Sequence, residues 1–358
     1  MKKKLLSLMC VAALLVCGTV ACGNTNDSAS TEEQESAAVE ETVEPVAEPE
    51  EEEVVYEDAD VRVAALKGPT AMGMVQLMDA ADNDDTASNH YTFTIAAAPD
   101  EITPSIVQGN VDIAAVPANL ASVLFNKTEG KVQVLAINTL GVLYIVENGE
   151  TISSVEDLKG KTIYASGKGA TPEFALNYML SSNGIDPEKD VTIEYKSEHA
   201  ECVAALTNDE DGVAMLPQPF ATTALMQNEN MRIALDMTTE WESAAKASGS
   251  NASLVTGVVV ARTDFVNEHP DAVKLFMEQY AESTTFTNDN VEEASELIEK
   301  YDIIKAAVAK QAIPYCNITC ISGTDMKDKL SGYLQELFNQ NPEAVGGKLP
   351  TDEFYYIQ

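Results

Sequence analysis

Arginine is almost missing from this sequence. Only Arg62, Arg232 and Arg262 occur, and 22 basic side chains face 58 acidic ones, a formal net charge of −36. A phosphate backbone or an anionic lipid surface needs a basic face, so nucleic-acid binding and electrostatic docking on lipid headgroups are both excluded. Self-repulsion of this size favours a soluble monomer. Histidine is scarce too (His90, His199, His269), and Trp241 is the single tryptophan. The apolar run at 5–16 is too short to span a bilayer. The rest is ordinary globular composition, 45% hydrophobic with 19 Gly and 14 Pro, which rules out collagen, coiled-coil and wholly disordered chains.

That apolar run follows Lys2, Lys3 and Lys4, the charge pattern of a secretory leader. It ends in Thr19-Val20-Ala21-Cys22-Gly23, which resembles the lipobox of bacterial lipoproteins, with Thr19 where Leu is more usual. The resemblance implies cleavage after residue 21 and acylation of Cys22 with palmitate-type chains. Each buried CH₂ of such a chain contributes about 0.8 kcal/mol, enough to hold an acidic protein on a membrane. From 23 to 60 there are fifteen acids and no Lys or Arg, with few large apolar residues. Such a stretch stays extended and disordered, so 22–58 reads as a spacer. Beyond it about 300 residues carry 43 acids against 19 bases, near −24, which is length enough for two lobes.

The remainder alternates short β-branched runs with helical periodicity. Strands are expected at 61–66, 91–97, 112–116, 132–137, 143–147, 162–165, 191–195, 212–216, 231–236 and 254–261. Helices are expected at 71–81, after Pro117, and at 153–158, 173–182, 198–206, 219–227, 270–284, 291–300, 303–311 and 326–340. The alternation argues for parallel sheets with helices on both faces and a ligand at the strands' carboxyl ends.

The stretch from Val61 through Gly68-Pro69-Thr70-Ala71-Met72-Gly73 resembles the opening of ABC-importer substrate-binding lipoproteins of the nitrate/sulfonate/taurine-like group, which also includes thiamine-precursor binders. The likeness continues through Gly109-Asn110-Val111-Asp112, Leu140-Gly141-Val142-Leu143-Tyr144, Ser154-Val155-Glu156-Asp157-Leu158-Lys159-Gly160-Lys161-Thr162, Gly169-Ala170-Thr171-Pro172-Glu173 and Gly346-Gly347-Lys348-Leu349-Pro350. It implies an α/β, periplasmic-binding-protein-like (type II) fold: two α/β lobes joined by crossing hinge strands that close on a small-molecule ligand. Lobe I is then 59–145 plus 253–358, lobe II is 146–252, and the crossing strands are 143–147 and 254–261. ABC permease subunits are the implied partners, and the lipid anchor implies the extracytoplasmic face of a bacterial membrane.

Three loops follow a strand and open a helix, and they supply the expected contacts: Gly68, Pro69, Thr70, Ala71 and Met72; Asn119; and Gly169, Ala170 and Thr171. Free N–H groups of first helical turns, with hydroxyl and amide donors beside them, would make an anion site. Gln218 would add a hydrogen bond and Trp241 a stacking face. The competing reading is that Thr70, Asn119 and Thr171 serve their own helices. The Arg residues lie in or beside strands, so an Arg clamp is not expected; Lys67 and Lys168 flank two loops. Glu173 and Glu198 sit at helix starts, where carboxylates ordinarily offset the dipole.

No catalytic residue, cofactor or metal is expected. His199 and Cys202 share a helix face, but a thiolate–imidazole pair needs an orienting group as well. Cys316 and Cys320 lack a second Cys/His pair for zinc and, if on one strand, are too far apart to bridge. An enzyme on the same fold, such as a pyrimidine-forming synthase, and a ligand sensor for a membrane receptor are the alternatives.

Overall fold

In the computed structural model, residues 57–357 are described. The leader, Cys22 and the acidic stretch up to residue 56 lie outside them. Among the described residues eleven strands form two separate sheets. The first holds, in spatial order, β11 (Ile318–Ile321), β4 (Val132–Leu140), β10 (Val255–Arg262), β3 (Ile113–Pro117), β1 (Ala59–Leu66) and β2 (Asn89–Ala96). The second holds β7 (Thr192–Lys196), β6 (Thr162–Ser166), β8 (Val213–Pro217), β5 (Leu143–Asn148) and β9 (Met231–Asp236). Central strands such as β3, β5 and β10 are buried on both faces because helices cover both faces. Edge strand β2 alternates instead.

Among the described residues thirteen α-helices connect them. They are α1 (Pro69–Met72), α2 (Val75–Asp82), α3 (Pro99–Val107), α4 (Ala118–Lys127), α5 (Thr171–Ser182), α6 (His199–Thr207) and α7 (Phe220–Gln227). After β9 come α8 (Met237–Ala247), α9 (Thr263–Glu268), α10 (Pro270–Asp289), α11 (Val291–Lys300), α12 (Ala306–Ala312) and α13 (Gly323–Gln340). The expected 71–81 helix is broken in two at Gly73, and α3, α8 and β11 were not expected.

The sheets are mixed, not parallel throughout. β1 pairs in parallel with β2 and β3, and β6 with β7 and β8. β10 runs antiparallel to β3 and β4, and β5 antiparallel to β8 and β9. The reason is the path between sheets. β4 leaves the first sheet at its carboxyl edge, and Gly141-Val142 carry the chain to the carboxyl edge of the second. β5 therefore enters that sheet backwards. The return after α8, through residues 248–254, delivers β10 backwards into the first sheet in the same way. β5 pairs in the second sheet from Leu143 onward, so the passage falls a few residues ahead of the boundary expected at 145/146. The carboxyl edges of both sheets thus lie at the two passages.

Those passages touch each other. A Cβ on Gly141 would stand 2.1 Å from Thr238 Oγ1 and 2.8 Å from Leu254 Cδ2, so only glycine fits. One apolar cluster continues from the first sheet through α13 (Leu330, Tyr333, Leu334) and α8 (Trp241) to the second sheet and α5. The far faces are sealed by α2, α10 and α11 on the first sheet and by α6 and α7 on the second.

Candidate functional site

The expected contacts fall into three groups at the carboxyl edges. In the first, β1 runs into Gly68, whose φ of +114° turns the chain into the one-turn helix α1. Thr70 Oγ1 donates to the Leu66 carbonyl at 3.0 Å, and the Ala71 and Met72 amides bond the Gly68 carbonyl. The Ala71 and Met72 side chains lie wholly in the core. The Thr70 hydroxyl and the Ala71 and Met72 amides, donors expected to point outward, are therefore engaged locally. Asn138 Nδ2 on β4 donates to the Thr70 carbonyl at 3.1 Å, tying this loop to the strand that leads into the passage.

The second group is Asn119 on α4. Its Nδ2 reaches the Ala344 carbonyl at 3.4 Å, and Ser122 and Asn126 bond the neighbouring Val345 carbonyl. Asn119 helps anchor the turn at Pro342–Val345, a structural task.

The third group lies on the second sheet. The Gly169 amide donates to Glu173 Oε2, so Glu173 satisfies the start of its own helix. Thr171 Oγ1 accepts from Tyr333 Oη of α13 at 3.4 Å, a contact to a helix that packs on β4 and β10. Gln218, just beyond β8, donates its backbone N–H to the Val142 carbonyl at 2.9 Å and so holds the outgoing passage. Its Oε1 accepts from Thr222, while its buried Nε2 has no partner.

Other buried polar atoms at the passages that sequence reasoning missed are in the same position. Thr139 Oγ1 near the end of β4, Thr238 Oγ1 at the start of α8 and Trp241 Nε1 are buried and unpartnered. An unmet buried polar group costs about 1–3 kcal/mol. A polar Asn138-Thr139 pair near the end of a mostly apolar strand was the readable signal. Trp241 is not an open stacking face. It is buried between Tyr178 (centroids 4.1 Å) and Tyr333 (5.6 Å).

The fixed cations are elsewhere. Arg62 clamps Asp112 through Nε and Nη2 (2.7 and 2.6 Å), and Arg262 bonds the same carboxylate at 2.9 Å. Burial pushes the Asp112 carboxyl up, but the Arg62 and Arg262 hydrogen bonds outweigh it and hold the group below its ordinary value. Arg232 pairs with buried Glu147. Both clusters sit at the opposite strand ends from the passages. Of the flanking lysines, Lys67 pairs with Asp302 at 2.7 Å, and Lys168 lies over the Tyr195 ring. Surface depressions of about 520, 630 and 470 Å³ are lined by other residues, such as Asn126 and Lys348, Asn148 and Arg232, and Glu242 and Lys329.

The Cys202 thiol is pushed up by burial and donates to the Glu198 carbonyl at 3.7 Å; the His199 imidazole bonds Ser166 instead. Cys316 and Cys320 are unpaired thiols, raised by burial to about 12 and about 11. Among the described residues no group of three His, Cys, Asp or Glu could hold a metal ion, and no helix is long and apolar enough to cross a membrane.

Two α/β sheets with carboxyl edges meeting at a double passage are the architecture of a two-lobed solute-binding protein. Solved structures share it. An ABC transporter from Parabacteroides distasonis aligns at TM-score 0.69 and 22% identity over 84% of this chain and 99% of its own. The periplasmic aliphatic sulphonate binding protein SsuA from Escherichia coli aligns at 0.65 and 16% over 83% and 92%. The periplasmic nitrate-binding protein NrtA from Synechocystis PCC 6803 aligns at 0.52 and 15% over 72% and 70%. These likenesses establish the type II periplasmic-binding-protein fold. No curated protein sequence matches the chain.

Residues 88–312 match the family described as ABC transporter, phosphonate, periplasmic substrate-binding protein. The chain belongs to that family and is an extracytoplasmic solute-binding component of an ABC importer.

Proposed function

We propose that the chain captures one small polar molecule between its two lobes, by closure about the double passage at Gly141-Val142 and 248–254, and hands it to membrane permease subunits. Lobe I comprises the first sheet with α13, and lobe II the second sheet with α5 to α8. A ligand that touches both carboxyl edges binds the closed form better and shifts the equilibrium towards it. The observation that carries this reading is the set of buried, unpartnered polar atoms at the passages: Gln218 Nε2, Thr238 Oγ1 and Thr139 Oγ1. Gln218 and Gly169-Ala170-Thr171 on lobe II, with Gly68-Pro69-Thr70 on lobe I, frame the site; Asn119, Ala71 and Met72 support it. The ligand class extends to sulfonates, nitrate and phosphonates, the solutes named for the relatives.

The site performs no chemistry in this reading. The one buried thiol near the lobe II edge is kept protonated by burial, and the imidazole beside it bonds a serine rather than a carboxylate. The chain is a monomer held at the membrane by acylated Cys22, with 22–58 as tether. Calorimetric titration with sulfonates, phosphonates and nitrate tests the capture. One site per chain, weakened about tenfold or more by Gln218→Ala, is expected from the loss of a buried hydrogen bond. Absence of binding by any of these compounds sinks the proposal. Replacing Cys22 by Ser should release the protein from the membrane fraction, and retention there would refute the anchor.

A further inference from the structure

We propose that Tyr144 is an interlobe positioning residue: its hydroxyl reaches from the first strand of lobe II to the Tyr315 carbonyl of lobe I and latches the two lobes at one mutual angle. This adds a control element to the closure proposed above and rests on it, whatever the solute.

The outgoing passage is gripped from both lobes at successive residues. On the lobe I side Asn317, just before β11, donates from Nδ2 to the Gly141 carbonyl at 2.7 Å, and its own carbonyl accepts the Leu140 amide at 3.1 Å. Its φ of +45° is left-handed, a turn that Asn tolerates better than most residues. On the lobe II side the Gln218 amide holds the Val142 carbonyl at 2.9 Å. Peptide groups are rigid planes, so a rotation between these two grips falls on the φ and ψ of Val142. The Asn317 bonds to Leu140 and Gly141 then travel with lobe I, and the Gln218 bond travels with lobe II.

The Tyr144 bond is of a different kind, because it crosses the pivot. Tyr144 pairs with Leu216 and Asp236 inside the second sheet, so it moves with lobe II. Its Oη nevertheless donates to the Tyr315 carbonyl at 2.7 Å, and the two rings meet edge to face with centroids 6.1 Å apart. Burial raises the Tyr144 pKa above its ordinary value, so the hydroxyl stays a donor. Rotation about Val142, two residues away, stretches or breaks this bond. The side-chain bonds from α13 to lobe II are longer: Tyr333 to Thr171 at 3.4 Å, and exposed Gln340 to the Phe174 carbonyl at 3.2 Å. The joint also carries its own reporter. Trp241 of lobe II is buried against Tyr333 of lobe I, and its Nε1–H has no hydrogen-bond partner, so that proton exchanges with solvent when the lobes part.

Deuterium exchange at the indole N–H, a single resonance because the chain has one tryptophan, tests this by NMR on the ligand-free full chain in detergent. Tyr144→Phe keeps the ring and removes only the latch bond, which should shift the balance between angles, and so the exchange rate, about fivefold. Asn317→Gly keeps the left-handed turn but deletes a bond that does not cross the pivot; it should lower the melting temperature while leaving the exchange rate within about twofold of the parent. That contrast separates a latch from a merely structural bond. A Tyr144→Phe rate equal to the parent's, or an Asn317→Gly rate raised as much as that of Tyr144→Phe, overturns the latch and leaves solute capture standing. Capture is read separately, by the heat of binding of ethanesulfonate, methylphosphonate and nitrate to the parent chain. No heat from any of the three overturns both capture and the latch's part in it.

Discussion

Substituting Gly141 by alanine probes the passage between lobes directly. The added Cβ would sit 2.1 Å from Thr238 Oγ1 and 2.8 Å from Leu254 Cδ2, both well inside van der Waals contact. The Leu254 methyl is the end of a flexible side chain and can swing away. The Thr238 backbone is held by its amide bond to Asp236 Oδ1 at the start of α8, and its side chain is buried, so the hydroxyl can yield only by turning into packed surroundings. Overpacking of this kind costs about 1–3 kcal/mol. Alanine also stiffens the unfolded chain, which offsets about 0.4–1 kcal/mol of that. The net loss of about 1–2 kcal/mol should lower the melting temperature by about 2–4 °C for each kcal/mol. Thr238→Ala removes the clashing oxygen, and because Oγ1 is buried without a partner, the single change should be nearly neutral. The double variant should then recover most of the loss, giving a coupling term of opposite sign to the Gly141→Ala effect. Calorimetric melting of the four proteins reads this cycle. A Gly141→Ala melting point equal to the parent's, or a double variant as unstable as Gly141→Ala, would refute the close approach of the two passages.

Three other outcomes follow from the packing. Asp112 titrates below its ordinary value of 3.8 when folded, so its stabilisation is present above about pH 4 and is lost as pH falls through the folded pKa; urea midpoints measured from pH 6 to pH 2 should fall less steeply for Asp112→Asn than for the parent. Removing the carboxylate altogether leaves two guanidinium groups facing each other, and Asp112→Ala should cost towards the lower end of about 3–5 kcal/mol, since both groups are partly exposed. Tyr333→Ala opens a cavity beside Trp241 and should cost about 3–5 kcal/mol, whereas Tyr333→Phe loses only the long bond to Thr171 and should cost under about 1 kcal/mol; urea unfolding followed by emission of the single tryptophan separates them. Cys202 and Cys316 are buried with raised pKa values, so a disulfide exchange reagent at pH 8 should reach them only on unfolding; fast labelling of either in the native protein would contradict the core described here.

Much of the strand order along the chain was legible because both faces of the central strands are buried. Runs such as Val213–Pro217 and Val255–Arg262 are apolar at successive positions, a pattern that survives without knowledge of partners. Strand direction was not legible. Nothing in the local text of Leu143–Asn148 says that it enters its sheet from the carboxyl edge; that follows only from where the preceding strand left the other sheet. α8 was hidden for a different reason. Its polar face and its Thr-rich start, Met237-Thr238-Thr239, weaken the helical signal, and its stability comes from burying Trp241 against Tyr178 and Tyr333.

The site was the hardest part to read, and the reason is chemical. A Thr or Asn just after a strand is written the same way whether it caps a helix, ties a loop or meets a solute. The side chains of Thr70 and Asn119 both tie chain segments, to the Leu66 and Ala344 carbonyls, and neither caps its helix. The groups left over are recognisable only in three dimensions, because what distinguishes them is a missing partner. Gln218 shows this best. One end of its amide is satisfied by Thr222 within its own turn and its backbone grips the passage at Val142, yet the nitrogen of the same amide is buried with nothing to bond. If the proposed capture is right, closure and ligand binding meet at this side chain, so substitution of Gln218 should change ligand affinity and the temperature of unfolding together rather than either alone.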